Sequence, residues 1–279
     1  MISNIEALHS KMYSFEPREI IEKIISFVRE FSKKHGIKKY IVGLSGGIDS
    51  SSTLKIVADA IGEKNVIALI MPHKDITARE DMEDAYMVAD EFGVEYYTIE
   101  IADICGIMRH RLAPFIEIDR KVYGNIMART RMMILYAFAN ATNAVVVGTS
   151  DKSEHLIGYF TKWGDAAADI FPIMDIYKTQ LRIIAREIGV PEKIVKKPSS
   201  PGLWVGQTAE EELGIAYEVI DPILFAMYEL KMKPEKIKAI KGIDPVVVDR
   251  IIEMINTTEH KRKIFYPRVQ EYIIREQQV

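Results

Sequence analysis

Cysteine is nearly absent from this chain, since Cys105 is the only one among 279 residues. A single cysteine excludes an intramolecular disulfide and any zinc site built from cysteines. We expect Cys105 to be a small buried apolar residue. The six histidines show no His-x-x-x-His or similar spacing, so a histidine metal site would need partners far apart in sequence. For metal binding, the sequence therefore favours carboxylate and phosphate ligands.

Long apolar runs are also missing. None approaches the roughly 20 residues of a membrane helix, and Met1 to Ser10 lack the basic and apolar stretches of a secretory signal. The net charge of −3 is too close to zero for a nucleic-acid binder that works through bulk charge. We therefore expect a cytoplasmic protein that binds neither membrane nor nucleic acid.

Two common phosphate-binding motifs are absent as well, namely the Gly-Lys-Ser/Thr loop and the Gly-x-Gly-x-x-Gly turn. The chain has instead an apolar strand that begins at Tyr40 and runs into Ser45, Gly46, Gly47 and then Asp49. Small residues let the backbone turn tightly and direct successive N–H groups at an anion near a helix N-terminus. Asp49 can hold the Mg²⁺ that accompanies phosphates. The alternative is an ordinary strand-to-helix turn with a Ser or Asp cap.

Apolar periodicity predicts alternating strands and helices. The predicted strands are 40–44, 66–71, 95–101 and 144–147, and the predicted helices are 17–36, 50–61, 77–93, 126–138 and 178–189. Thr77 and Glu80 suggest a capping box for the third helix, and the stretch around Pro114 is left unassigned. This order implies an α/β fold, a doubly wound parallel sheet with helices on both faces. We expect one domain with a helical N-terminal segment (1–37), a core (38–206) and a helical C-terminal segment (207–279).

A second polar loop, Gly148 to Glu154, follows the strand at 144–147. All strands of a parallel sheet end at one edge, where ligands bind. Asp49 and Glu154 should therefore meet at that edge, where they could share one Mg²⁺ ion. The alternative for Glu154 is a carboxylate that complements a helix dipole.

Several motifs resemble a known family. Ser45-Gly46-Gly47-x-Asp49-Ser50 is similar to the pyrophosphate loop of N-type ATP pyrophosphatases, which cleave ATP between its α and β phosphates. Further segments resemble, in order, the ammonia-dependent NAD synthetases of that group, which have an adenine nucleotide alpha hydrolase-like fold. These segments are Gly124-Asn125-Ile126-x-Ala128-Arg129-x-Arg131-Met132, Gly148-Thr149-Ser150-x-Lys152-Ser153-Glu154, Gly158-Tyr159-x-Thr161-Lys162-x-Gly164-Asp165, Tyr177-Lys178, Gly202-Leu203-Trp204-x-Gly206-Gln207 and His260-Lys261-Arg262.

The resemblance implies a set of site residues. The implied ATP ligands are Gly43, Leu44, Ser45, Gly46, Gly47, Ile48, Asp49, Ser50, Thr149, Lys178 and Ser200. The implied deamido-NAD ligands are Arg129, Lys162, Asp169, His260 and Lys261, and the implied Mg²⁺ ligands are Asp49 and Glu154. Arg129 and Arg131 lie roughly 160° apart around a helix, so only one should face the site, and the resemblance selects Arg129.

The resemblance also implies a reaction. ATP would convert the carboxylate of deamido-NAD to an acyl adenylate with loss of pyrophosphate, and ammonia would then displace AMP to give NAD. Asp49 and Lys178 would act at the phosphates, while Asp165, or alternatively Asp169, would orient the ammonium ion or accept its proton. The family is homodimeric, and the helix with Ile20 to Phe31 or the helix from Ile126 could supply the interface.

The sequence departs from the family at two positions and leaves other interpretations open. Asp151 replaces a common Asn, and Ala209 replaces a common acidic residue, which weakens any role for that loop in closing the site. Ser199 is an alternative to Ser200. A tRNA-modifying ATP pyrophosphatase is the nearest rival, although the charge and the single cysteine disfavour it, and a non-catalytic ATP sensor on the same fold is another.

Overall fold

The computed structural model describes residues 3–270 of the chain. Four parallel strands form one sheet in the order β3-β2-β1-β4. The strands are β1 (Tyr40–Gly43), β2 (Val66–Ile70), β3 (Glu95–Thr98) and β4 (Val145–Val147). Every residue of β2 is buried, as expected for a central parallel strand covered on both faces. The predicted α/β fold with a parallel sheet is thus confirmed.

Fourteen α-helices lie wholly within the described residues and surround or follow the sheet. Those that precede β4 are α1 (Ile5–Met12), α2 (Pro17–His35), α3 (Ile48–Ile61), α4 (Arg79–Glu91), α5 (Ala102–Leu112) and α6 (Arg120–Thr142). Those that follow β4 are α7 (Lys152–Ile157), α8 (Lys178–Glu187), α9 (Glu192–Val195), α10 (Ala209–Leu213), α11 (Tyr217–Tyr228), α12 (Pro234–Lys238), α13 (Pro245–Thr257) and α14 (Glu259–Arg262). None of these helices combines the length and the apolar character needed to cross a lipid bilayer.

The two faces of the sheet contribute to separate apolar cores because side chains alternate along a strand. Tyr40 and Val42 of β1 pack with buried residues of α2, α3, α4 and α8. Ile41, between them in sequence, packs on the opposite face with residues of α5 and α6. Cys105 of α5 is fully buried there, which confirms the expectation from the sequence. A third core joins α1 to the C-terminal helices α10 to α13.

Two local predictions were wrong. Helix α4 begins at Arg79 with Ala78 as its N-cap and no side-chain cap, so Thr77 and Glu80 do not form a capping box. Thr77 Oγ1 instead accepts a hydrogen bond from His73 N at 2.9 Å, which places it in the preceding turn. The sequence predicts a third strand that reaches residue 101, but the strand ends at Thr98. The chain then enters helix α5, which lies in the stretch that the sequence left unassigned.

The C-terminal segment is mostly helical within the described residues, as the sequence predicts. Helices α10 to α14 occupy most of 209–262, but residues 263–268 are not helical. Residues 271–279 of the predicted segment lie outside the described residues.

Candidate active site

The strand order reverses at β1. The chain passes from β1 outward to β2 and β3, and β4 then returns to the other side of β1. Ligands of open α/β sheets bind at the carboxyl ends of the strands at such a reversal. Asp49 lies in the first turn of α3, after β1, and Glu154 lies in the first turn of α7, after β4. Both predicted metal ligands therefore stand at this reversal.

The loop between β1 and α3 is tightly wound. Gly46 has φ +79°, and a Cβ atom there would lie 2.3 Å from the Asp81 carbonyl oxygen of α4, so only glycine fits. Ser50 Oγ accepts a hydrogen bond from Ser45 N at 3.2 Å and donates to the Gly47 carbonyl at 3.1 Å. The first N–H groups of α3 lack partners along the helix. The loop thus has the geometry of an anion cradle, while its role in ATP binding stays a prediction.

Lys178 is the centre of the site. Its side chain is fully buried, and Nζ lies 2.6 Å from Asp49 Oδ1, 3.0 Å from Asp151 Oδ2 and 3.0 Å from Glu154 Oε1. These four side chains are called the Lys178 cluster below. Its complete burial shows that Lys178 is not a solvated surface lysine at the start of a helix.

Burial and mutual charge shift the pKa values within the Lys178 cluster. Burial raises the pKa of Asp151 and Glu154 against the opposing effect of Lys178. Burial alone would lower the pKa of Lys178, but Asp151, Asp49 and Glu154 hold it well above its usual range. The three carboxylates therefore favour the cationic form of Lys178. With all three carboxyl groups ionised, the cluster would carry a formal charge of −2, a state that a bound cation would favour.

The same cluster fits a divalent cation. Oxygen atoms of Asp49, Asp151 and Glu154 lie within 4.8 Å of one another, and carboxylate oxygens are the ligands that Mg²⁺ prefers. Asp151 Oδ2 is buried without a hydrogen bond, because its contact with Lys178 is an ion pair that lacks hydrogen-bond geometry. A buried carboxylate oxygen that accepts no hydrogen bond and faces a cation has the chemistry of a metal ligand.

A second group of predicted residues surrounds residues 158–165, which follow α7 and are called the 158–165 loop. Arg129 of α6 donates to the Lys162 carbonyl at 3.1 Å. Lys261 of α14 donates to the carbonyls of Gly158 and Phe160 at 2.7 and 2.8 Å. Thr161 N donates to Asp165 Oδ1 at 2.9 Å. The structure thus brings Arg129, Lys162, Asp165 and Lys261 together.

Asp165 and Lys261 influence each other within this group. Surrounding protein raises the pKa of Asp165, and Lys261 opposes that effect. Burial lowers the pKa of Lys261, and Asp165 opposes that effect. Asp165 still has an exposed surface, and this combination of exposure with dense surroundings is typical of a cleft. A carboxylate with a raised pKa in a cleft is a candidate proton acceptor.

The other predicted ligands are dispersed. Asp169 lies beside the middle of β4, where Oδ2 accepts a hydrogen bond from Val146 N at 2.7 Å. His260 is exposed on α14, and Ser200 is exposed in the loop between α9 and α10, where its hydroxyl accepts a bond from Gly202 N. Thr149 is partly buried between β4 and α7. The structure does not join these four side chains into one cluster.

Sequence reasoning missed one member of the site. Asp151 was noted only as a departure from the family and was given no role. It is the N-cap of α7, where its Oδ1 accepts a hydrogen bond from Glu154 N at 2.8 Å, and it is completely buried. Its position three residues before Glu154, directly after a buried strand, was the available signal.

Comparison with known proteins agrees with this geometry. A parallel α/β sheet with a glycine loop at its strand reversal defines the class of nucleotide-binding α/β proteins. Residues 20–265 match the model of the NAD synthase family. The chain belongs to that family, which confirms the resemblance found in the sequence.

Individual relatives support the assignment. The chain is 47% identical to an NH(3)-dependent NAD(+) synthetase from Staphylothermus marinus, over 88% of this chain and 90% of the relative. The structure resembles the NMN synthetase from Francisella tularensis, with a TM-score of 0.81 and 33% identity over 91% of this chain and 100% of that one. It also resembles the NH3-dependent NAD synthetase from Campylobacter jejuni, with a TM-score of 0.76 and 29% identity over 91% and 99%.

Proposed function

We propose that this protein amidates deamido-NAD with ammonia at the expense of ATP and forms NAD, AMP and pyrophosphate. The observation that carries the proposal is the Lys178 cluster, which lies beside a glycine loop at the strand reversal in a chain of the NAD synthase family. A tRNA-modifying enzyme and an ATP sensor were the rival interpretations of the sequence, and the family match favours neither.

At the ATP end, the loop Gly43 to Ser50 would receive the phosphates, with Thr149 and Ser200 as further contacts. Asp49 and Glu154 would hold Mg²⁺, and Asp151 is close enough to join them. When bound, Mg²⁺ supplies charge stabilisation at the phosphates. Lys178 would neutralise charge that develops on the leaving pyrophosphate. Its burial suits that role because a desolvated cation interacts more strongly with an anion than a hydrated one does.

At the other end of the site, Arg129, Lys162, Asp169, His260 and Lys261 would bind deamido-NAD. Lys261 and Arg129 already support the 158–165 loop through its carbonyl groups. Asp165 would orient the ammonium ion and accept its proton, since the surrounding protein raises the pKa of this carboxyl. Neutral ammonia would then attack the acyl carbon, and the bond from that carbon to the AMP oxygen would break.

We also propose that the protein is a homodimer and that the outer surface of α5 and the segment after it form the interface. Ile107, Phe115 and Ile116 are 64%, 83% and 51% exposed there. Beside them, α5 and α6 enclose an apolar cavity of about 500 Å³ whose lining includes Arg129. By contrast, the apolar stripe of α2 is buried against the sheet core through Ile21, Ile24, Ile25 and Val28, so it is not free for a partner.

Light scattering tests the dimer. We expect Ile107→Glu to produce a monomer and Phe27→Glu, at an exposed apolar position on α2, to leave the dimer intact. The opposite result would move the interface to α2.

Pyrophosphate release tests the reaction. Purified protein is given ATP, Mg²⁺ and ammonium chloride with deamido-NAD, with nicotinic acid mononucleotide, or with no acceptor, and the products are followed by mass spectrometry. The mononucleotide is included because the NMN synthetase of Francisella tularensis is a close structural neighbour. We expect pyrophosphate and NAD together, and only with deamido-NAD. Faster turnover of the mononucleotide than of deamido-NAD would identify the mononucleotide as the substrate. No pyrophosphate from folded, ATP-binding protein would favour a sensor.

The proposed compartment of the protein is the cytoplasm.

A further inference from the structure

Helix α11 contributes a carboxylate that lies behind the Lys178 cluster. Asp221 is completely buried, and no lysine or arginine of residues 3–270 forms an ion pair with it. It stands in an otherwise largely apolar helix of the C-terminal segment, outside the part of the chain in which the sequence placed most of the site. Burial of an unpaired carboxylate is costly unless hydrogen bonds satisfy it.

Three hydrogen bonds satisfy Asp221, and all come from the starts of α7 and α8. Ser153 Oγ donates to Asp221 Oδ1 at 2.6 Å. Thr179 N and Thr179 Oγ1 both donate to Asp221 Oδ2 at 2.8 Å. Ser153 Oγ in turn accepts a hydrogen bond from Lys178 N at 2.9 Å. All four residues in this network are buried.

These partners are the sequence neighbours of two site residues. Ser153 precedes Glu154, and Thr179 follows Lys178. The first N–H groups of a helix have no partner along the helix, and Asp221 satisfies that of Thr179 directly and that of Lys178 through Ser153. One carboxylate thereby ties α7, which carries Asp151 and Glu154 at its start, to α8, which begins with Lys178.

We propose that Asp221 is a positioning residue that fixes Lys178 relative to Glu154 and so sets the geometry of the Lys178 cluster. Asp221 acts through Ser153 and Thr179 and does not touch the substrates. An error of about 1 Å in such an arrangement can cost about a hundredfold in rate. This inference rests on the proposed function for its kinetic consequence, but its consequence for nucleotide binding does not depend on the identity of the acceptor.

The main test compares Asp221→Asn with Leu224→Ala. Leu224 is a completely buried apolar residue on the same helix, so its truncation destabilises α11 without altering the hydrogen bonds to α7 and α8. We expect Asp221→Asn to lower kcat at least tenfold and to weaken binding of Mg²⁺ with a non-hydrolysable ATP analogue in calorimetry. The KM for deamido-NAD should stay within twofold, because Arg129 and Lys261 are bonded elsewhere. Leu224→Ala should change neither kcat nor nucleotide affinity by more than twofold below its melting temperature.

A second pair of variants applies if Asp221→Asn fails to fold. Thr179→Val removes the hydroxyl donor with little change of shape, whereas Thr179→Ser keeps it. We expect Thr179→Val to lower kcat at least threefold and Thr179→Ser to restore it. Equal effects of both, or an effect of Leu224→Ala as large as that of Asp221→Asn, would overturn the positioning role. If the wild type does not turn over deamido-NAD but Asp221→Asn still weakens nucleotide binding, the proposed function fails and the positioning role stands.

Discussion

The Lys178 cluster and the 158–165 loop are held in place by different kinds of contact. In the cluster, one buried ammonium group meets three carboxylates from α3 and α7, and a further carboxylate on α11 accepts hydrogen bonds from the starts of α7 and α8. The 158–165 loop is held mainly through its backbone carbonyls, by the partly exposed Arg129 and Lys261. The region that would act on phosphates is thus held by ion pairs and hydrogen bonds between buried side chains, whereas the region for deamido-NAD is held mainly by side chains that donate to backbone carbonyls.

We expect the largest effect on this difference between the two regions when the cation of the Lys178 cluster is removed. In Lys178→Met, three carboxylates lose their shared partner, and removing one member of a buried ion pair costs about 3–5 kcal/mol. We expect the free energy of unfolding in urea to fall by that order and turnover to be lost. The double variant Lys178→Met with Asp151→Asn should recover part of the stability, because one buried negative charge is removed. Unchanged stability in the single variant would show that the cluster is not held by charge.

Gly46→Ala tests the loop that faces the cluster. The new Cβ would meet the Asp81 carbonyl at 2.3 Å, so the loop must move, and a displacement of this kind can cost about a hundredfold in rate. We expect kcat/KM for ATP to fall by about that factor. Gly36→Ala is the matched control, since Gly36 also has a positive φ of 67° but has no heavy atom within 4 Å of the added Cβ. An equal loss in the control would attribute the effect to backbone strain alone.

The pH dependence of stability tests the state of Asp221, which lies behind the Lys178 cluster. Burial, with the nearby Asp151, raises the pKa of Asp221 to about 7 from the ordinary 3.8. Between those values the folded protein holds a proton that the unfolded chain has lost, so stability falls as pH rises. We expect the wild type to lose about 2 kcal/mol between pH 5 and pH 7 relative to Asp221→Asn. Parallel stability profiles for the two proteins, from denaturation at each pH, would contradict this.

Arg129→Ala should have the smallest effect and should be confined to the 158–165 loop. We expect the KM for deamido-NAD to rise about tenfold, or about 1.4 kcal/mol, with the KM for ATP unchanged. Arg79→Ala is the control, because Arg79 is exposed and forms only a surface ion pair with Glu83, which is worth about 0–1 kcal/mol. A change in the KM for ATP in Arg129→Ala would remove the distinction between the two regions.

The sequence predicted the features of the fold that depend on the order of residues within short segments. The apolar runs located all four strands, and their alternation with helices implied the sheet edge at which Asp49 and Glu154 meet. The predictions that failed concern residues whose roles depend on contacts with other parts of the chain. Thr77 looked like a cap, but its hydroxyl is used by His73 N.

Asp151 and Asp221 show the same limit within the site. Their burial and partners come from helices far apart in the chain, as in the 68 positions between Ser153 and Asp221. The local sequence does not reveal the distant partners that complete such a network. An acid in the middle of a largely apolar helix was the signal that Asp221 offered.

Asp169 also affects whether a further strand can pair with the β4 edge of the sheet. Its carboxylate accepts a hydrogen bond from Val146 N, its own N–H donates to the Val146 carbonyl, and Ile170 bridges Val147. An incoming strand would find these groups of β4 already taken, so that edge resists the edge-to-edge pairing that leads to aggregation. Any added strand must approach β3, whose outer edge is short and carries the exposed Glu95. A residue predicted to bind substrate thus also blocks the pairing of a further strand at this edge of the sheet.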